Sequence, residues 1–288
     1  MSEHWSILVH GGAKTIPSER RVANRSGCLA ALAAGEAVLD RGGAAIDAVA
    51  AAIKAMEDDV TFNAGRGAVR NVNGDIELDA ALVDGATLDV GAVAAVRNLR
   101  NPIEAARALL RDRPVLLVGE GASRYAEEHG LEQCEPAYYE PPQIGSREVC
   151  DTVGCVAFDQ AGNLASGTST GGLEGVRPGR VGDSPIPGCG LAAENSVGAV
   201  SFSGDGESIL RLTLAARVMH DLPSRGPQKA AEHAIGQLVR IGGEAGCIVL
   251  GADGGPGVDH NSDHFAFGFA SPDHPAAAYL HKGEFNHG

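Results

Sequence analysis

Apolar positions along the chain fall into two kinds of run. Short β-favouring runs alternate with longer stretches in which apolar residues recur every three or four positions. Residues 6–10 read as a first strand that ends in the pair Gly11-Gly12. Residues 24–40 read as a helix, with Leu29, Leu32, Ala33, Glu36 and Leu39 at helical spacing, and Gly42-Gly43 break it. A second helix is predicted over about 44–58, with Ile46, Val49, Ala50 and Ile53 on one face. Asn73-Gly74 marks a hairpin turn between Val72 and Ile76, and 90–96 reads as another strand. Asn101-Pro102 supplies an N-cap and a first-turn proline for a helix through Leu110. Residues 114–118 read as a buried strand and 121–129 as a short helix.

A loose stretch containing Tyr138, Tyr139, Pro141, Pro142 and Gly145 separates this half from one richer in strands. There, 152–158 and 164–170 form a hairpin across the turn at 159–163, and 197–202 is a further strand. Helices follow at about 207–220 and 228–241, and strands near 247–252 and 264–270 close the chain. Helices gathered in two blocks, with strands between, predict two sheets packed face to face and flanked by helix layers.

Composition narrows the function classes. Apolar residues make up 44% of the 288, which argues against disorder. Forty glycines, about twice the usual share, suit tight turns and places where backbone N–H groups approach a ligand. A net charge of −14 without a basic run removes the electrostatic footprint of nucleic-acid binding. No run reaches the roughly 18 apolar residues of a membrane span, so no membrane partner is expected. Met1-Ser2-Glu3-His4-Trp5 has neither the basic region nor the apolar core of a secretory signal, and the expected address is the cytoplasm. Cys28, Cys134, Cys150, Cys155, Cys189 and Cys247 form no CxxC pair and read as reduced, small core residues.

The junction between the loose stretch and the following strand carries Asp151-Thr152. Threonine is a poor nucleophile without a base, but an N-terminal threonine carries one in its own α-amine. Cutting the Asp151–Thr152 bond would therefore make Thr152 nucleophile and base at once. Its company sharpens the reading: Thr168-Ser169-Thr170-Gly171-Gly172, Gly179-Arg180-Val181-Gly182-Asp183-Ser184-Pro185 and Ser201-Phe202-Ser203-Gly204-Asp205-Gly206-Glu207 follow it. Ile7-Leu8-Val9-His10-Gly11-Gly12-Ala13, Phe62-Asn63-Ala64-Gly65 and Glu77-Leu78-Asp79-Ala80 precede it. In this order the six motifs resemble the plant-type asparaginase / isoaspartyl peptidase family of N-terminal-nucleophile hydrolases, from about residue 7 to about residue 270.

That resemblance implies an α+β fold, a four-layer αββα sandwich with two central, mostly antiparallel sheets flanked by helices. It implies one domain over 1–288, cut by itself into 1–151 and 152–288, and a pairing of two such processed chains into an (αβ)2 homo-oligomer. The reaction implied is hydrolysis of the β-amide of L-asparagine or of β-aspartyl dipeptides through an aspartyl ester on Thr152, with no cofactor required. Thr170 would orient the nucleophile. Ser203, where the family usually has threonine, and the Gly204 N–H would face the developing oxyanion. Arg180 and Asp183 would grip the α-carboxylate and α-ammonium of the substrate, with Gly206 admitting its amino end. Asn63 would lie near the site, a structural turn asparagine being the bland alternative. A structural sodium ion on the backbone carbonyls of Met56, Glu57, Asp59, Phe62, Ala64 and Arg66 is also implied.

Other readings have their own markers. Asp151 before the nucleophile, and Gly188-Cys189-Gly190, lean toward a glycosylasparaginase of the same fold and mechanism. His10-Gly11-Gly12-Ala13 and Phe62-Asn63-Ala64-Gly65 lean against it. An uncut, non-catalytic scaffold would have no need of Thr152 and Thr170 together. A phosphate loop at Gly11-Gly12 lacks both GxGxxG and GxxxxGK[ST]. His10 reads as a strand-end residue bonded to backbone, and His260, His264 and His274 lack regular ligand spacing.

Overall fold

The computed structural model describes residues 4–140 and 152–285, so Asp151 and Cys150 lie outside the described residues. The amino-terminal part contains β1 (Ser6–Lys14), α1 (Arg21–Leu39), α2 (Ala45–Glu57), β2 (Leu78–Asp84), β3 (Val90–Val96), α3 (Pro102–Leu109), β4 (Leu116–Val118) and α4 (Gly119–Glu128). The remainder contains β5 (Val153–Phe158), β6 (Leu164–Thr170), β7 (Leu191–Glu194), β8 (Gly198–Gly204), α5 (Gly206–Leu212), α6 (Leu214–Arg225), α7 (Pro227–Val239), β9 (Ala245–Gly251), β10 (Pro256–His260), β11 (His264–Ser271) and β12 (His274–Tyr279).

The strands form two sheets. One has the order β12-β11-β1-β5-β6-β2-β3-β4, the other β10-β9-β8-β7. Every pairing is antiparallel except β3 with β4. Side-chain alternation assigns each strand to two apolar clusters. Ile7, Val9, Val153 and Cys155 point to one that also holds Ala31, Leu32, Val49 and Ile53 of α1 and α2. Leu8, Val156 and Leu164 point the other way, to a cluster shared with Ala199, Ile248 and Leu250 of the smaller sheet. Val200, Phe202, Cys247 and Val249 turn from that seam toward Val218, Leu222, Ile235 and Leu238 of α6 and α7. The two-sheet expectation is met.

Several elements differ from the reading of the sequence. β1 runs on through Gly11-Gly12 to Lys14, because the pairing with β11 slips between His10 and Gly12 and absorbs the glycines as a bulge. Gly12 has φ 112°, and a Cβ at Gly11 would lie 2.3 Å from the Phe62 ring. Glycine is needed there for strand geometry and ring packing, and no strand-to-helix phosphate loop exists at that pair. Asn73-Gly74 does make a turn, with Gly74 N–H donating to the Asn71 carbonyl, but Val72 donates to Val176 and no strand flanks it. The single helix expected at 207–220 is two, broken at Thr213, whose φ of 48° is left-handed. β4 is a half-exposed edge strand and not a buried one. β2, β7, β10 and β12 were not anticipated.

The layer contacts are tight enough to be tested. A Cβ on Gly91 of β3 would stand 1.9 Å from the Ala106 carbonyl of α3, a backbone atom that cannot swing aside. Gly91→Ala is expected to destabilise the chain by about 1–3 kcal/mol, the cost of overpacking. A urea midpoint equal to that of the wild type would contradict this packing of α3.

Candidate active site

The β5–β6 hairpin brings two distant threonines together. Val153 pairs with Ser169, so Thr152 and Thr170 face each other across the open end of the ladder. Both side chains belong to the face of the large sheet that meets the small one, together with Gly154 and Thr168. β8 of the small sheet ends at Ser203 and Gly204 on the opposite side of that seam. Residues 172–190 wrap the mouth, and Arg180, Asp183 and Ser184 turn inward. Thr152, Thr170, Gly172, Leu173, Arg180, Asp183, Ser184, Gly204 and Gly206 all line one cleft. Five of the residues singled out from the sequence for catalysis or substrate binding thus meet Thr152 there.

Within the cleft the Thr152 hydroxyl lies 3.1 Å from the Ser184 hydroxyl. Ser184 is held in turn, its carbonyl accepting from Thr168 Oγ1 at 2.6 Å. The Thr170 hydroxyl accepts from Gly172 N–H at 3.1 Å. Ser203 is fully buried, and its Oγ accepts from Ala13 N–H at 3.3 Å, which leaves the hydroxyl hydrogen free to donate elsewhere. Gly204 has φ 147° and packs on the backbone of Glu244 and Ala245, where a Cβ would lie 2.3 Å from the Glu244 carbonyl.

Asn63 does not line the cleft. Its amide donates to the Gly172 carbonyl at 2.7 Å, its Oδ1 accepts from Val69 N–H, and its backbone carbonyl accepts from Gly171 N–H. It buttresses the turn after Thr170 and reaches the cleft through Gly172.

Charge is concentrated on one wall. Arg180 donates from Nε and Nη2 to the two oxygens of Glu207 at 3.0 and 2.7 Å, a two-pronged pair. Asp183 is buried beside it, and burial pushes its carboxyl up to about 7 against the pull of its own backbone N–H and of Arg180. Asp183 Oδ2 has no hydrogen-bond partner among the described residues. Asp79, opposite Thr170 in the β2–β6 register, is also buried and pushed up to about 7 by burial against the pull of the Ala95 N–H, the Arg180 charge and the Gly182 N–H; one oxygen accepts from Ala95 N–H, and the other makes no hydrogen bond of good geometry among the described residues. A Cβ on Gly206 would sit 2.8 Å from Asp183 and 2.9 Å from Arg180, so only glycine leaves the space between them open. The whole cleft has a volume of about 10 Å³, the room of one water molecule.

Sequence reasoning missed Ser184 and Glu207, although both stand inside motifs it quoted. Gly188 has a left-handed φ of 82°, and Gly190 has a packing reason. A Cβ on Gly190 would stand 2.6 Å from the Asp183 carbonyl. His260 is bonded to Ser262 and Lys282, and among the described residues no group of three or more His, Cys, Asp or Glu could hold a metal ion. No helix among them is long and apolar enough to cross a membrane.

A family model described as asparaginase matches residues 3–144 and 139–277. The chain is 39% identical over 280 residues to an isoaspartyl peptidase/L-asparaginase of Danio rerio, covering 88% of this chain and 86% of that protein. It is 40% identical over 266 residues to the one of Xenopus laevis, covering 86% of each. It is 38% identical over 268 residues to the human one, covering 86% of this chain and 87% of that protein.

The raised carboxyls fix a sign for the stability profile. Folded Asp79 keeps its proton up to about pH 7, whereas an unfolded aspartate loses it near pH 3.9. Its contribution is fully present below the lower value and is lost as pH rises through the higher one. Asp79→Asn is expected to remove a fall of about 1 kcal/mol per pH unit between pH 5 and 6.5. Urea midpoints measured across that range check it, and parallel profiles for variant and wild type would count against the burial of a neutral Asp79.

Proposed function

The chain belongs to the plant-type asparaginase family, and on that footing we propose that it hydrolyses the β-amide of L-asparagine and of β-aspartyl (isoaspartyl) dipeptides with Thr152 as nucleophile. One observation carries the reading. The Thr152 hydroxyl opens into the same cleft as a buried, unpartnered carboxylate oxygen of Asp183 and the guanidinium of Arg180. An aspartyl head group brings an ammonium for the first and a carboxylate for the second.

Two reactions use the same hydroxyl. In the uncut chain Thr152 Oγ adds to the Asp151 carbonyl. Loss of the Thr152 nitrogen then leaves an ester between the Asp151 carbonyl carbon and the Thr152 hydroxyl oxygen. Water opens the ester, giving 1–151 with a new carboxylate and 152–288 with a free α-amine. That amine, with a reference pKa of about 7.7–8.0, takes the hydroxyl proton during turnover. Oγ then adds to the β-carbonyl of the substrate, and the negative oxygen is met by the Ser203 hydroxyl and the Gly204 N–H. Collapse expels ammonia or an amino acid, which leaves with the proton held by the amine. Water hydrolyses the aspartyl ester and restores Thr152. Ser184 and Thr170 hold the hydroxyl in line.

Substrate entry has a cost written into the cleft. With Arg180 engaged by Glu207 and about 10 Å³ free, the α-carboxylate takes guanidinium donors over from Glu207, whose side chain is 57% exposed and turns to water. The four-layer αββα order agrees with the sequence of apolar clusters, helices α1 and α2 on one outer side and α6 and α7 on the other. We place a sodium ion in the loop after α2. The carbonyls of Asp59, Ala64 and Arg66 each accept one backbone N–H and keep a second lone pair, that of Met56 is shared by the Asp58 and Asp59 N–H groups, and those of Glu57 and Phe62 crowd Gly65 and Gly67. The ion would stiffen the turn that carries Asn63. Two processed chains pair in the assembled enzyme.

Intact mass of purified protein should give two chains that part between 151 and 152, and Thr152→Ala should stay whole and release no ammonia from asparagine. Active protein made only of uncut 288-residue chains would sink the proposal. Arg180→Ala should raise KM by a factor equivalent to about 1.5–3 kcal/mol. A KM that does not move would remove the carboxylate grip.

A further inference from the structure

His10 does more than end a strand. Its imidazole, fully buried, puts Nδ1 3.0 Å from the backbone carbonyl of Thr152 and Nε2 2.8 Å from the Ser201 hydroxyl. A carbonyl only accepts, so Nδ1 carries the hydrogen and Nε2 accepts from Ser201. The longer contact of Ser201 with the Gly167 carbonyl, 3.3 Å, would need the same hydroxyl hydrogen and gives way. Burial pushes His10 down to about 3, so the ring stays neutral in this tautomer through the working range of pH.

The ring is also sterically fixed. His10 pairs with Gly154 in the β1–β5 ladder, and a Cβ on Gly154 would fall 2.1 Å from Ser201 Oγ and 2.3 Å from His10 Nε2. Phe265 packs on its other side with ring centroids 5.6 Å apart. Ser201 belongs to β8, two residues before Ser203, and Ser203 is itself tied to Ala13 of β1. Two bonds, His10 to Ser201 and Ala13 to Ser203, therefore clamp β1 onto β8 while His10 holds Thr152 directly.

From this geometry we propose that His10 and Ser201 form a positioning pair that sets the distance between the Thr152 nucleophile and the Ser203–Gly204 oxyanion donors. The inference rests on the threonine-nucleophile reading above. Thr152 precedes Val153, the first residue of the β5 ladder. Once the chain is cut, Thr152 has no covalent anchor on its upstream side. The bond from His10 to its carbonyl, with the ladder that begins at Val153, then orients the 152–153 peptide and so the Cα that carries the amine and the hydroxyl-bearing Cβ. Arg180 and Asp183 are held by other elements, so the pair governs turnover and not substrate binding.

The test compares processed His10→Ala, His10→Asn and Ser201→Ala enzymes, with rates expressed per free Thr152 terminus counted by intact mass. His10→Ala should lose about 10–100-fold in kcat for asparagine with KM within about twofold, the scale of a misplaced nucleophile. His10→Asn, whose amide N–H stands near Nδ1, should recover several-fold of that loss. Ser201→Ala should lose about 3–10-fold in kcat, the scale of one hydrogen bond, and it carries the test alone if His10→Ala does not fold. Unchanged kcat per terminus, a loss confined to KM, or an Asn variant no better than Ala would overturn the proposal. A wild-type chain that never gains the Thr152 terminus would overturn the proposed function itself. An active, processed wild type with insensitive variants overturns only the positioning pair.

Discussion

Two sheets share one face, and the polar groups buried on that face must find partners across the seam or in the loop that closes its end. An unsatisfied buried donor or acceptor costs about 1–3 kcal/mol, so these pairings bind the relative placement of the sheets more strictly than apolar contact does. Ser166 donates to the Val200 carbonyl, His10 meets Ser201, and Ala13 N–H meets Ser203. The cleft forms where this polar seam reaches the end of β5 and β6. Thr152, Thr170 and Ser184 are its last members there, and Asp183 and Arg180 are the first groups beyond it.

The wall beyond the seam is electrostatically incomplete, and that incompleteness gives it a preference. Arg180 stands among Glu207, Asp183 and Asp79, and burial pushes both aspartates up to about 7. A lone cation would satisfy Asp183 and leave Arg180 with Glu207. A lone anion would satisfy Arg180 and leave the buried Asp183 oxygen unpartnered. An α-amino acid head supplies both charges, which is a physical reason for such a wall to select a free aspartyl group over an internal one.

The amino-acid sequence displays the chemistry of this protein more openly than its strands. The motif residues Thr152, Thr170, Arg180, Asp183, Gly204 and Gly206 do meet in one cleft, and α1, α2, α3, β3 and β6 fall within a few residues of their expected bounds. Strands buried on both faces are harder to read, because alternation disappears when layers cover each side. β2 and β12 are rich in alanine, β7 is four residues long, and β10 carries proline and glycine, so none has strong β-favouring composition. Ser184, Glu207 and Ser201 escaped notice because nothing in a hydroxyl or carboxylate reveals which distant atom it will meet. His10 was read as bonded to backbone, and it is; that the backbone belongs to Thr152 is a fact of topology alone.

If the Thr152 oxygen forms the covalent bond to substrate, an acid-quenched turnover will trap it. Enzyme mixed with asparagine, stopped in acid during steady state and mapped by peptide mass, should carry an aspartyl ester on the peptide that begins at Thr152. Ammonia release with the adduct on another residue would contradict the account.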